Sequence, residues 1–596
     1  MFIHTMKNPT YTINMNRKRK SNYDKRPAVT IGKGFILEGW KSISSFVSGK
    51  VEHAKLLTVD CYTGVYYDLL KSKLQEINNA LLIDTLEIFK SENEINALTE
   101  QFLTEDILFG FYSNLSISDY FDEEKLRFAR ESIEQASGTV IVFGYGAQYV
   151  TTGNINIYAD MPRWEIQQRM RRKEVNGLGV NNKEETFSLQ YKRGLFNDWK
   201  VLDKHKKTIY DTVDFWLDTV KVDLPKLIDK ETFFKGMVKA ASSPFRLVPF
   251  FDPAPWGGQW MKEVCDLDRS VSNFGWCFDC VPEENSLLLK INDIEFEMPS
   301  VNLVYTRSRE LLGDPVEARF GKEFPIRFDL LDTIGGGNLS LQVHPTTEYA
   351  RENFGLAYTQ DESYYIMDTK EDTYVYLGLR NDINPDEMVT DLNKAQQDPF
   401  FVFDVDKYVN KVPVKKHDHF LIPGGTVHCS GKDTLVLEIS STPNLFTFKL
   451  WDWQRLGLDG KPRPINVDRG KKVIVWGRDT GFTYRELVNK VKILNDTGTV
   501  REEKTGLHKN EFIETRRHIF TEKVTHYTND SVNVLNLVEG DSVIVESLNG
   551  DFEPFVVHYA ETFVVPARIK TYTVRPYGNS KGKECITIKA SVRFNA

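Results

Sequence analysis

The stretch GGGNLSLQVHP, residues 335–345, sets polar side chains at alternate positions of an otherwise apolar strand. Side chains two residues apart on a strand share a face. Gln342 and His344 therefore point together, and Leu341 and Val343 point the other way. Two further residues have the same character. Glu362 opens the strand-like ESYYIM, and His428 follows a Pro-Gly-Gly turn in FLIPGGTVHCSG. Glycine lets backbone crowd close to a site, and separate strands of one barrel can bring such residues together inside it. Two imidazoles, a carboxylate and an amide oxygen make an N2O2 ligand set that zinc, iron or manganese would accept. One inward histidine is an ordinary core residue; the four together point to a metal.

The elements that must position them are legible from texture. A chain of 596 residues is long enough for several domains, and 41% hydrophobic with 27% charged residues is ordinary for a globular protein. The net charge of −8 gives no reason to expect nucleic acid or an anionic membrane as a partner. No apolar run approaches the roughly 18 residues of a membrane span. The RKRK cluster near the start has no apolar segment after it, as a secretory signal would, and residues 1–35 are expected to be a mobile tail. The six cysteines are scattered, which suits a reducing, cytoplasmic setting; CFDC at 277–280 lacks the second pair a zinc site needs.

Residues 36–240 read as an α/β module. AKLLTVDCYTGV and TVIVFGYGA are strands, KLRFARESIEQASG is a helix stopped by Gly138, DMPRWEIQQRMRRK is a basic amphipathic helix capped by Asp160, and DTVDFWLDTV is a further helix. Strand–glycine–helix order suggests a nucleotide fold, but no GxxxxGK[ST] occurs and FGYGAQ lacks its third glycine. The module therefore reads as kinase-like without a P-loop, with a phosphate or nucleotide site left as the alternative. Short alternating strands and glycine turns dominate 241–485, as in an all-β sandwich or barrel. Residues 480–516 read as a charged, partly helical connector, and 517–596 as short strands of a smaller terminal β domain, the C-terminal region as a whole spanning 486–596.

LSLQVHP, the Glu that opens ESYYIM, FLIPGGTVHCSGKDTLVLEISS and FTFKLWDWQRLGLDGKPRPINVDRG together resemble the type I mannose-6-phosphate isomerases, zinc enzymes of the cupin class; WGG at 256–258 fits the start of that domain. The resemblance covers 245–480 and, more weakly, the C-terminal region. It implies a multidomain fold: a cupin-type jelly-roll catalytic domain, a smaller C-terminal β-barrel of cupin-like kind, and the extra N-terminal α/β module of the family's long forms. It further implies that Gln342, His344, Glu362 and His428 hold one Zn2+ per chain, and that the substrate is a sugar phosphate, mannose 6-phosphate exchanging with fructose 6-phosphate through an enediol.

That chemistry needs a base to move a proton between C1 and C2. Glu438, which alternates away from Leu435, Leu437 and Ile439, is the candidate. Lys449 and Arg455 are candidate cations for sugar oxygens or the phosphate. His417 and His419 are expected to be structural or exposed. The chain departs from the family at two places: Gln360 stands where a Lys precedes the zinc Glu, and Lys449 stands where the family has an Arg. Both bear on the substrate more than on the metal. The alternative from another class is a non-catalytic sugar- or sugar-phosphate-binding regulatory cupin that keeps the metal site. A third is a redox cupin, because two His and a carboxylate would serve non-haem iron. Oligomeric state is not legible.

Overall fold

The computed structural model describes residues 21–594, apart from 52–53, 78–79, 399, 442–445, 459, 462 and 510. In the N-terminal module, near-continuous apolar runs pack as a sheet buried on both faces. Five parallel strands lie in the order Leu81–Asp84, Val140–Gly144, Leu56–Cys61, Ile155–Asp160, Phe215–Asp218, and Lys226–Asp229 and Ile36–Glu38 add an antiparallel edge.

Three local expectations are corrected here. DTVDFWLDTV contains the strand Phe215–Asp218 rather than a helix. Trp216 packs flat on Phe233, ring centroids 3.9 Å apart, and a strand buried on both faces shows no alternation to betray it. The helix Glu123–Gln135 stops at extended Ala136, before Gly138. The helix Arg163–Arg171 is entered through extended Pro162; Asp160 accepts from Lys206 and Asn302 instead of capping it. One arginine of that helix is not solvated. Arg169 is wholly buried, donating to the carbonyls of Gly64 and Thr219 at 2.8 and 2.9 Å.

Residues 21–35, expected to be mobile, are built into the fold. Ala28–Gly32 runs parallel to Ser286–Ile291, and the Tyr23 hydroxyl donates to Asp279 at 2.8 Å. The RKRK run lies outside the described residues.

The middle of the chain forms two facing antiparallel sheets. One has the order His419–Ile422, Glu362–Thr369, Thr434–Ser441, Ile326–Asp332, Trp276–Cys280, Phe250–Asp252; the other has Val409–Pro413, Tyr374–Leu379, His428–Ser430, Leu341–Val343, Phe448–Trp451. The C-terminal region is a second two-sheet β structure of six and four strands. It begins earlier than the texture suggested: the connector is helical at Thr480–Phe482 and Thr483–Leu487, as expected, and then forms the strands Lys492–Asp496 and Val500–Gly506. Their charged composition hides the pairing, which Val500–Gly506 makes with Ile513–Phe520.

The α/β module does not stand apart. Phe109 packs against Phe354, Phe446 and Phe448 of the double sheet, with centroids 5.3 to 6.2 Å apart. One continuous apolar core runs through both regions, while the interior of the C-terminal sandwich is a core of its own. No helix among the described residues is long and apolar enough to cross a membrane.

Candidate metal centre

Gln342 sits on the short strand Leu341–Val343 and is the antiparallel partner of His428 on His428–Ser430. The turn before His428 explains how they meet. Gly425 adopts φ +88°, and its amide donates to the carbonyl of His344 at 2.9 Å. A Cβ at Gly424 would lie 2.5 Å from the carbonyl oxygen of Pro345. Glycine is thus required for the turn to lie against the QVHP strand. Asp361 pins the turn from the other side, accepting from the Gly424 amide at 2.7 Å, and its neighbour Glu362 faces the two histidines.

Three of the four expected ligands converge. His344 Nε2 lies 3.1 Å from Glu362 Oε2, and His428 Nε2 lies 2.8 Å from Glu362 Oε1. All three side chains are at most 1% exposed, and one ligand atom from each falls within 4.8 Å of the others. The Gln342 amide nitrogen is 3.2 Å from His428 Nε2. A half-turn of that amide puts its oxygen in the same place, since O and N are interchangeable in shape. Both imidazoles are oriented from behind: His344 Nδ1 meets the Phe446 carbonyl at 3.0 Å and His428 Nδ1 the Thr426 carbonyl at 2.8 Å. A carbonyl accepts only, so each Nδ1 carries a hydrogen and each Nε2 is the ring atom turned to the cluster, the arrangement that prepares histidines for a metal. Burial raises the Glu362 carboxyl, but His344 and then His428 outweigh it and hold it well below the usual range.

Gln342 and Glu362 of this group line a cavity of about 370 Å³, with the two histidines behind them, and that volume is within the size range of small-molecule sites. Glu438 lines it. Glu438 is paired across strands with Asp329 and Tyr364, and its Oε1 accepts from Ser440 at 3.0 Å. Burial, and then the charge of Glu362, push its carboxyl well above the ordinary range, with Arg327 pulling the other way. Lys449 also lines the cavity, as the cross-strand partner of Gln342. Its ammonium has no hydrogen bond or ion pair among the described residues. Burial, and then nearby Arg463, bring it down to about 8. Gln360 lines the same wall, its amide 3.4 Å from Glu362 Oε2.

Arg455 is placed differently from the expectation. Its guanidinium ties Asp452, at 2.7 Å, to the Asn338 carbonyl, and the residue is not part of the cavity lining. Arg463, not among the candidates from sequence, is the arginine that faces in, bridging Asp452 at 2.6 Å and Ser340 at 3.2 Å. Its signal was Ser340 itself, on the same strand face as Gln342 and His344. His417 and His419 lie elsewhere: His419 is buried on Ser363 at 2.9 Å, and His417 meets the Tyr365 hydroxyl at 2.8 Å.

The expected nucleotide-type turns of the α/β module are already occupied by protein. The Asp60 carboxylate accepts from the amides of Gly146 and Gln148 at 3.1 and 2.9 Å and contacts His205 Nε2 at 2.8 Å. An acid therefore sits on the amides that would otherwise cradle a phosphate.

Residues 39–242 match the family model of a domain of unknown function, DUF8485. Mannose-6-phosphate isomerase ManA of Bacillus subtilis (strain 168) is 28% identical to this chain over 237 residues, which is 39% of this chain and 68% of that protein. Mannose-6-phosphate isomerase of Streptococcus mutans serotype c is 26% identical over 230 residues, 38% of this chain and 66% of its own. The chain is related to the type I mannose-6-phosphate isomerases. A crystal structure of mannose 6-phosphate isomerase from Bacillus subtilis aligns at 20% identity and a TM-score of 0.47, covering 58% of this chain and 99% of that one. The isomerase relatives account for part of the chain only.

Proposed function

We propose that this protein is a zinc-dependent aldose–ketose isomerase acting on mannose 6-phosphate and fructose 6-phosphate, or on a closely related sugar phosphate. The observation that carries this reading is the pair of buried imidazoles with Nε2 turned onto Glu362 at the wall of a cavity, in a chain related to isomerases of that name. The donor set fits zinc. Two neutral imidazole nitrogens, one carboxylate and the Gln342 amide oxygen suit a d¹⁰ borderline cation, and His344 Nε2 and both Glu362 oxygens are buried with the polar atoms of this same group as their near neighbours. Gln342, His344, Glu362 and His428 would hold it. When bound, the ion supplies a Lewis acid that polarises the sugar carbonyl.

The remaining steps fall to this chain's own side chains. Moving a proton between C1 and C2 of the sugar needs a group that can both take and return it near neutral pH. Glu438 fills that role, because it lines the cavity and burial raises its carboxyl well above the ordinary carboxylate range. Lys449 offers the substrate a charge with no protein partner to displace, and Arg463 a fork already half engaged by Asp452.

A coupled assay on a panel of aldose phosphates with the zinc-loaded protein tests the reading. Turnover of mannose 6-phosphate is expected, with Glu438→Gln lowering kcat by about 10²–10⁴-fold while zinc content stays at the wild-type level. A zinc-loaded protein that binds the sugar phosphates and turns over none of them would instead be a binding cupin.

A further inference from the structure

The α/β module supplies a large share of the cavity wall. Phe109 and Phe196 enter from one side, and Trp164, Gln167, Arg171 and Tyr191 from the helices Arg163–Arg171 and Phe187–Arg193. The joint between module and double sheet runs along the rim. Trp164 stacks on Phe250 at 4.0 Å and 16°, and Phe250 stacks in turn on Phe278 at 4.5 Å and 20°. Arg171 grips Asp252 through two parallel bonds of 2.8 and 2.7 Å.

The polar groups on this wall have a defined sense. Gln167 Nε2 donates to Glu284 Oε2, and the Tyr191 hydroxyl lies 3.2 Å from Glu284 Oε1. A carboxylate only accepts, so Glu284 takes the Tyr191 hydroxyl hydrogen and one of the two Gln167 amide hydrogens, and fixes which way both residues face. What remains is mostly acceptor capacity, with one Gln167 N–H beside it. The Gln167 carbonyl oxygen has no protein partner among the described residues, and the phenolic oxygen keeps its lone pairs. Acceptors backed by Glu284, beside an Arg171 already neutralised by Asp252, suit the hydroxyl donors of a polyol and disfavour a phosphate, which only accepts. Faces of Trp164 and the neighbouring rings add the apolar surface on which sugar C–H groups rest.

We propose that the module of residues 39–242 is a substrate-recognition wall of the cavity, in which Gln167 and Tyr191, set by Glu284, accept hydrogen bonds from the hydroxyls of the sugar while the phosphate is left to cations of the double sheet. This deepens the isomerase reading and rests on it for the identity of the sugar. The recognition residues lie within residues 39–242, the stretch that matches the domain of unknown function, so the module sets which polyol phosphate fits.

The test compares full-length wild type with Gln167→Leu and Tyr191→Phe, and with Phe128→Ser on an exposed face of the module as control. Each cavity variant is expected to raise KM for mannose 6-phosphate by about tenfold, one hydrogen bond's worth. The inhibition constant of inorganic phosphate and zinc content are expected to stay at wild-type values, Tm to fall in the cavity variants because buried Glu284 loses a donor, and every readout to stay unchanged for the control. If wild type turns over no aldose phosphate, the isomerase reading fails, and the same variants are read by calorimetric binding of mannose 6-phosphate and of inorganic phosphate. Selective loss of sugar affinity then still supports the wall. Unchanged sugar KM or affinity in both variants, an equal loss for inorganic phosphate, or a wild type that binds neither probe would overturn it.

Discussion

His344, Glu362 and His428 are each ordinary buried residues alone; what makes them a centre is that two carbonyls behind them settle both tautomers. His344→Ala removes one Nε2 and leaves Glu362 with a single imidazole, so zinc and turnover are expected to be lost together, as elemental analysis beside the coupled assay would record. Lys449 makes a different prediction. Its ammonium titrates at about 8, and only the protonated form attracts a phosphate. Raising the pH from 7 to 9 removes that charge, so KM for the sugar phosphate is expected to climb through this interval in wild type. In Lys449→Arg the climb is expected to disappear, because a guanidinium stays charged. A KM–pH profile that is flat in both proteins would show that Lys449 does not hold the anion.

At the scale of elements, the site depends on a strand, a glycine turn and a seam. The strand Leu341–Val343 is only three residues long, and it is held by antiparallel neighbours on both edges, His428–Ser430 and Phe448–Trp451. The seam is aromatic. Phe109 is 4% exposed and its ring meets three phenylalanines of the double sheet. Phe109→Ala leaves a void among rings that cannot collapse, and is expected to destabilise by about 3–5 kcal/mol in denaturant unfolding. Because the void opens between module and double sheet, the same substitution is expected to raise KM for the sugar phosphate, whereas a cavity remote from the seam would lower stability alone.

For the whole molecule, the decisive fact is that the α/β module and the double sheet share one apolar core while the C-terminal sandwich keeps an interior of its own. Hydrogen exchange followed by mass spectrometry is expected to register Phe109→Ala as a rise in exchange in strands of both the module and the double sheet, such as Val140–Gly144 and Thr434–Ser441. The sandwich strand Ser542–Ser547, packed in the separate core, is expected to exchange as in wild type. Acceleration confined to the module would mean that the two regions unfold independently.

The residues by themselves determined the chemistry. Period-two alternation placed Gln342 and His344 on one face and turned Glu438 away from its apolar neighbours, the Pro-Gly-Gly turn marked His428, and the start of ESYYIM marked Glu362. Such signals are local, and a strand or a turn enforces them within a few residues. Elements whose pattern is erased by their surroundings were not legible. Phe215–Asp218 is buried on both faces and shows no alternation, and Val500–Gly506 pairs through backbone while its side chains remain polar. Nor was the choice between Arg455 and Arg463 legible, since both flank Asp452 and only packing decides which one faces the cavity. The largest difference lies in the module. Gln167 and Tyr191 are about 175 and 150 residues from Gln342 along the chain, and nothing in a helical period reveals what a helix packs against. That a domain with no catalytic motif walls the isomerase cavity was decided by tertiary structure alone, because the cavity exists only where two surfaces distant in sequence close on each other.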